Sequence, residues 1–317
     1  MKAPADESLT RLATRYIRRQ IRQLTGQIEG IRRAADTEPI HQARVAMRRL
    51  RTALAVFADC LGAERTKAWR KALKRAANEL GDARDEDVQI EFLCGAIARV
   101  RRAEAVPGLA RVLGRCEKKR RIVQPQVIRS LKDLLAGRTL HQILATCKSL
   151  SPKSSSVPLA GPAVFAHAAA SVVQRFEEMW ALRGCLADPS QQKQHHALRI
   201  AAKRLRYTLE IYRAAYGGRL DPVIDVTKQL QSYLGDIHDC DVWVENLHRF
   251  TTKEGKRIAA RYGRQEPLAR LKVGIDYLEA DCLARRRELF DSLVRYWQGL
   301  TAECFWDEML ATVRDGL

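Results

Sequence analysis

The chain has 317 residues, and its 56 Lys and Arg against 37 Asp and Glu leave a formal net charge of +19. An excess of that size repels itself unless something anionic is close, so the expected partner is a polyanion or an anionic surface. The apolar residues, 46% of the total, fall in short periodic groups far below the ~20 consecutive positions a membrane span needs, which excludes a membrane helix.

In chain order, the opening MKAPADESLTRLATRYIRRQ has no apolar stretch behind its first charge and does not read as a secretory signal. Ala, Leu, Arg, Lys, Gln and Glu dominate the rest of the chain, without β-branched alternation, so the fold class is all-α. Turn signals fall at Asp36 to Pro39, Leu61-Gly62, Leu80-Gly81-Asp82, Pro107-Gly108, Pro125, Asp188-Pro189-Ser190, Gly217-Gly218 and Leu234-Gly235-Asp236, and they predict helices of ordinary length. The Ser- and Pro-rich SLSPKSSSVPLAGP, Ser149 to Pro162, predicts a linker. The organisation expected is a first half over 1–148, a linker over 149–162, a second half over 163–300 and a C-terminal tail over 301–317. Eight single cysteines, without the paired spacing of a zinc site or a disulfide scaffold, read as free thiols in a reducing cytoplasm.

The two halves share a vocabulary. HQARVAMRRLR from His41 returns as HALRIAAKRLR from His196, and seven of the 17 residues from His41 to Phe57 are identical in the second copy. Leu80-Gly81-Asp82-Ala83-Arg84-Asp85-Glu86-Asp87-Val88 returns as Leu234-Gly235-Asp236-Ile237-His238-Asp239-Cys240-Asp241-Val242, with Lys74 and Lys228 in the same register. Matches in the same order at nearly constant spacing predict an internal duplication. A looser third echo sets Lys118 to Arg121 beside Arg285 to Arg287.

On a helix, at ~100° per residue, His41, Arg44, Arg48 and Arg51 form one stripe, and the second copy repeats it with His196, Arg199, Lys203 and Arg206. Ala43, Ala46, Met47, Leu50, Leu54 and Phe57 take the opposite, core-facing side. A face that serves solubility mixes signs, whereas these carry no acid, and like charges at i,i+3 and i,i+4 destabilise a helix. An external anion offsets that. His41 and His196 lie near predicted helix starts, where free backbone N–H groups also favour an anion; a structural donor role for each ring stays open. Arg49 and Arg204 recur off the stripe, as flanking groups or as partners for acids.

The Asp clusters have two readings. As divalent-metal ligands they would make a phosphohydrolase; as residues after Leu-Gly turns they would cap the next helix, with Asp85 and Asp239 also orienting a stripe arginine. The second is preferred, because Arg84 stands where the second copy has His238. No P-loop, Gly-x-Ser-x-Gly or His-Glu-x-x-His pattern suggests catalysis. Nucleic acid is the common partner of a basic protein, but aromatics are only 6% and those of the repeated phrases, Phe57 and Tyr212, point into the apolar faces, so nucleic acid is expected to bind only nonspecifically. Guanidinium stripes without rings suit a linear chain of phosphates.

With its two copies of His-x-x-Arg-x-x-x-[Arg/Lys]-Arg-Leu-Arg, each trailed by Leu-Gly-x-x-x-Asp-x-Asp-Val, the sequence resembles the CHAD domain, the conserved histidine α-helical domain, from the first helix to near Trp297. The resemblance implies two pseudo-symmetric four-helix bundles around a basic central cavity, non-catalytic binding of inorganic polyphosphate, and residence on polyphosphate granules, with no cofactor and no metal. It points to His41, Arg44, Arg48, Arg51, His196, Arg199, Lys203 and Arg206, with Lys74 and Lys228 beside them. Lys203 in place of a second Arg48 keeps the charge and loses the fork, so unequal halves are expected. Met1 to Ala35 is too short for the triphosphate-processing domain that many relatives carry, so the hydrolysis performed by that domain is not expected.

Overall fold

The computed structural model describes residues 6–152 and 156–315. Among the described residues the regular structure is helical, with no strand. In chain order the helices are α1 (Glu7–Thr25), α2 (Ile28–Arg33), α3 (Glu38–Val56), α4 (Ala58–Leu61), α5 (Ala63–Arg99), α6 (Val106–Ala136), α7 (Arg138–Leu150), α8 (Pro162–Trp180), α9 (Gln192–Tyr212), α10 (Asp221–Tyr262), α11 (Glu266–Ala302) and α12 (Phe305–Arg314). The starts obey local chemistry. Asp6 caps α1 by accepting from the Leu9 amide at 3.0 Å, and α3, α6, α8, α10 and α11 each carry a proline in the first turn, where no N–H is missed. Gly217 and Gly218, both with positive φ, make the turn between α9 and α10.

Three expected turns fall inside helices. Leu80-Gly81-Asp82 lies inside the 37-residue α5, and Leu234-Gly235-Asp236 inside the 42-residue α10. The Asp clusters therefore cap nothing; they project from continuous helices. Pro125 likewise stays within α6. What the glycines do instead is make room: a Cβ on Gly81 would stand 2.6 Å from Arg44 Nη1, on the neighbouring α3.

Helix packing repeats one order twice. α1 packs on α3, α3 on α5 and α5 on α6; α8 packs on α9, α9 on α10 and α10 on α11. Across this pairing α3 meets α9, α1 meets α8 and α6 meets α11. The larger of two apolar clusters runs from Leu9 to Val313 and draws on both series, with Phe57 stacked on His167 and set edge-on to Tyr212. A second cluster joins the far ends of the long helices, including Leu93 of α5, Leu109 and Cys116 of α6, Trp243 and Leu247 of α10, and Ile275 and Cys282 of α11. There α6 and α11 touch backbone to backbone, since a Cβ on Gly108 would lie 2.2 Å from the Leu271 carbonyl oxygen and one on Gly274 2.1 Å from that of Ala105.

The segments expected to be irregular are partly helical. Ser149 and Leu150 complete α7 and Pro162 opens α8, while residues 153–155 of the expected linker lie outside the described residues. The expected tail is packed: Trp306, Met309 and Val313 of α12 are buried, and Tyr216 Oη donates to the Val313 carbonyl at 2.7 Å. Residues 1–5 and 316–317 also lie outside the described residues. All eight cysteines are free. Among the described residues, no helix is long and apolar enough to cross a membrane.

Candidate functional site

The apolar sides of α3 and α9 fix the direction of their basic sides. Ala43, Met47, Leu50 and Leu54 are buried on α3 with Phe57 just past its end, and Leu198, Ala201, Leu205, Leu209 and Tyr212 on α9. His41, Arg44, Arg48, Arg51 and His196, Arg199, Lys203, Arg206 remain half-buried. Where α3 meets α9, Arg48 Nη1 donates to Tyr207 Oη at 3.1 Å, and the Arg206 guanidinium lies 4.9 Å from the centre of the same ring. Glu210 binds Arg49 Nε at 2.7 Å and lies 3.7 Å from Arg206 Nε. One tyrosine and one carboxylate thus gather arginines from both copies of the phrase.

The walls are α5 and α10. On α5, Gly81 lets Arg44 approach, and Asp85 stands 3.7 Å from Arg44 Nη2, an ion pair at longer range than the bidentate pair expected of it. On α10, Gly235 faces Arg199 Nε at 3.8 Å from the position of a Cβ. His238 brings its Nδ1 to 3.2 Å from Nδ1 of His196. Arg84 and Arg70 on α5 bear electrostatically on His41 and Arg51, and Arg48 bears on Arg199 and Lys203 across the two series.

The second Asp of each motif has a different task. Asp87 accepts from Arg120 Nε and Asp241 from Arg286 Nε, both at 2.5 Å. Arg120 also donates to Gln124, which donates to the Ile31 carbonyl ahead of α3; Arg286 donates to the Pro189 carbonyl ahead of α9. The third basic echo is therefore a pair of arginine anchors, each tying a motif aspartate to the chain entering a stripe helix. Among the described residues no group of three or more His, Cys, Asp and Glu side chains is placed to hold a metal ion.

The electrostatics are those of crowded cations. Burial, then Arg199, Arg48 and Arg206, push Lys203 down to about 6, with Asp239 opposing. Burial and the neighbouring Arg199, His196 and Lys203 push His238 down to about 4. Burial also lowers His41 and His196, with Arg84 next for the first and Arg199 for the second. Arg44 Nη1, Arg51 Nε, Arg199 Nε and Arg206 Nε are buried without a hydrogen-bond partner. A buried donor left without an acceptor costs about 1–3 kcal/mol, and here such donors come from both stripes.

Other expected site residues fall less centrally. The His41 amide already donates to the Thr37 carbonyl at 3.3 Å, and His196 is the fifth residue of α9, so neither presents a free helix-end N–H group. Arg49 is held by Glu210, and the exposed Arg204 lies 3.8 Å from Glu178; these acids lie outside the repeated motif. Lys74 and Lys228 are exposed, each seven residues before the glycine of its wall, about two turns along the same face. Tyr207, His238, Arg84 and Arg70 join the site although the sequence does not single them out as site residues. Their counterparts at the repeat spacing are Thr52, Arg84, His238 and Ile224, and a search for repeated identities passes over positions that differ.

The sequence matches the family model of the CHAD domain over residues 15–248. No curated protein matches it. Solved structures share the fold, among them these two. The CHAD domain from the plant Ricinus communis aligns with a TM-score of 0.64 and 19% identity, covering 93% of each chain. PptA from Streptomyces chartreusis aligns with a TM-score of 0.62 and 19% identity, covering 92% of this chain and 99% of its own.

Proposed function

The chain belongs to the CHAD domain family, and on that premise we propose that it binds inorganic polyphosphate without cleaving it, along the two basic stripes where α3 and α9 meet. The observation that carries this is the set of buried guanidinium donors of Arg44, Arg51, Arg199 and Arg206 that lack acceptors. Phosphate oxygens supply acceptors and negative charge together, and planar guanidinium groups match them in pairs. A linear polymer presents those oxygens repeatedly, which suits donors spread over two helices better than a single compact anion does. The duplication suggested by the repeated phrase, a basic cavity at its centre, cytoplasmic residence and attachment to polyphosphate granules belong to the same proposal.

A phosphohydrolase acting through the Asp motif is disfavoured by the engagement of Asp87 and Asp241 with Arg120 and Arg286, which leaves no carboxylate trio for metal. Nucleic acid is disfavoured because Tyr207, the ring at the crossing of the stripes, is buried under arginines and offers no face for base stacking.

The test is a titration of long-chain polyphosphate against the full chain at several salt concentrations, with single-stranded RNA as competitor and with and without magnesium. The expected result is tight, salt-steep binding that RNA does not displace and that leaves the polymer uncut. Arg44→Glu with Arg199→Glu should weaken it at least about a hundredfold while the helical signal stays, reversing two charges at the centre of the site. Wild-type affinity in that folded variant sinks the site; shortening of the polymer only with magnesium transfers the function to the aspartates.

A further inference from the structure

The two sides of the site are built from cations of different permanence. The first copy offers Arg44, Arg48, Arg51 and Arg84, guanidinium groups that stay charged at any physiological pH. In the second copy Lys203 stands at the position of Arg48 and His238 at that of Arg84, and both are groups whose charge is removable.

Their surroundings work against that charge. Lys203 is faced by Arg199 and Arg206 along α9 and by Arg48 from α3, with Asp239 of α10 as the acid on that side. His196 and His238 confront each other Nδ1 to Nδ1 at 3.2 Å, ring centres 4.3 Å apart. Two nitrogens at that distance hold one proton between them, not two. Arg199 and Lys203 bear on both rings. From α5, Asp85 bears on Arg199 and Asp239. From α8, Glu178 is engaged by Arg175 and Arg204 on the other side of α9 and gives Lys203 no relief. An approaching chain of phosphates reverses this balance, because negative charge within a few ångströms favours the protonated forms.

We propose that polyphosphate binding is coupled to proton uptake on the α9 and α10 side of the site, where Lys203 and the His196 and His238 pair take protons from solvent as phosphate oxygens settle against them. This rests on the polyphosphate reading of the same site. The first-copy side attracts the polymer at any pH, and the second-copy side becomes fully cationic only once the polymer is there. Affinity therefore rises as the pH falls, and a rise in pH loosens the bound polymer.

The test is calorimetry on the full chain with polyphosphate long enough that its end groups contribute little, at one pH in buffers of different ionisation enthalpy, together with affinities from pH 6 to 9. The expected result is a binding heat that changes with the buffer, reporting uptake of about one proton or more per occupied site, and an affinity that falls about tenfold per pH unit for each proton taken up. Lys203→Arg with His238→Arg gives this side the first copy's residues and should reduce the uptake by at least half and flatten the pH dependence. Lys203→Arg alone, a smaller change, should reduce the uptake by about one proton and serves if the double variant fails to fold. Tight binding with a buffer-independent heat and a flat pH profile overturns the coupling and leaves the polyphosphate reading standing. Undiminished uptake in the folded variants overturns the assignment to these residues. Absence of polyphosphate binding at every pH sinks the underlying reading and the coupling with it.

Discussion

Arg44 lies so close to Gly81 that a methyl group on that glycine would stand 2.6 Å from its Nη1. Inside a helix Gly is about 1 kcal/mol worse than Ala, so α5 gives up stability at that position for the sake of its neighbour. Gly81→Ala should therefore hold or raise the melting temperature, because the clashing atom is the mobile end of a side chain. It should weaken polyphosphate binding severalfold by displacing Arg44. Gly235→Ala, where Arg199 Nε is at an ordinary 3.8 Å, should change binding little; equal losses at the two glycines would contradict this account.

The same pair shows how far the sequence could be read. The all-α class, the stripes and their apolar reverse sides come from a 3.6-residue period, which needs no partner helix to be visible. Gly81 reads as a turn because a glycine's usual local meaning is a break; its actual meaning, space for Arg44, exists only once α3 lies beside α5. Tyr207 and His238 are hidden for another reason, since the repeated phrase draws attention to what the halves share and these residues mark where they differ. The third echo is loose as sequence, yet Arg120 and Arg286 take equivalent aspartates at equal distances.

Lys203 gives a pH-dependent prediction about stability. Its pKa falls from 10.5 to about 6 in the folded chain, so between those values the folded state holds fewer protons than the unfolded one. Its share of stability therefore rises with pH across that window and is lost as the pH drops towards 6. Without polyanion, the melting temperature should climb from pH 6 to pH 9. Lys203→Met should flatten the climb and raise the melting temperature at pH 7 by several degrees, while weakening polyphosphate binding. A variant less stable than the parent at pH 7 would refute the idea that the surroundings of Lys203 suppress its charge at the expense of stability.

Arg286 and Asp241 are nearly buried, at 9% and 13% exposure, and their pairing also fixes the entry to α9 through the Pro189 carbonyl. Removing one partner of such a pair leaves a buried charge uncompensated, so Arg286→Met should cost about 3–5 kcal/mol in denaturant unfolding. The exposed pair of Arg213 and Asp221 supplies the contrast: Arg213→Ala should cost below about 1 kcal/mol.

At the far end of the long helices, Gly274→Ala sets a Cβ against the Ala105 carbonyl oxygen at 2.1 Å, a backbone contact that no side-chain rotation relieves. A loss of at least about 2 kcal/mol is expected, with faster amide exchange in the residues around Trp243 and Leu109 that share the cluster there. Exchange unchanged in that cluster would show that the seam between α6 and α11 does not hold it together.

That seam reaches further than its own neighbourhood. α5 and α10 pack on α3 and α9 at the stripes and are joined again through the cluster that holds Leu93 and Trp243, so each is a beam bolted at two points. The gauge between the beams is set by joints at both ends, not by the residues in the span. The polymer proposed to lie along the stripes therefore meets two helices whose positions are fixed away from the stripes as well as beside them.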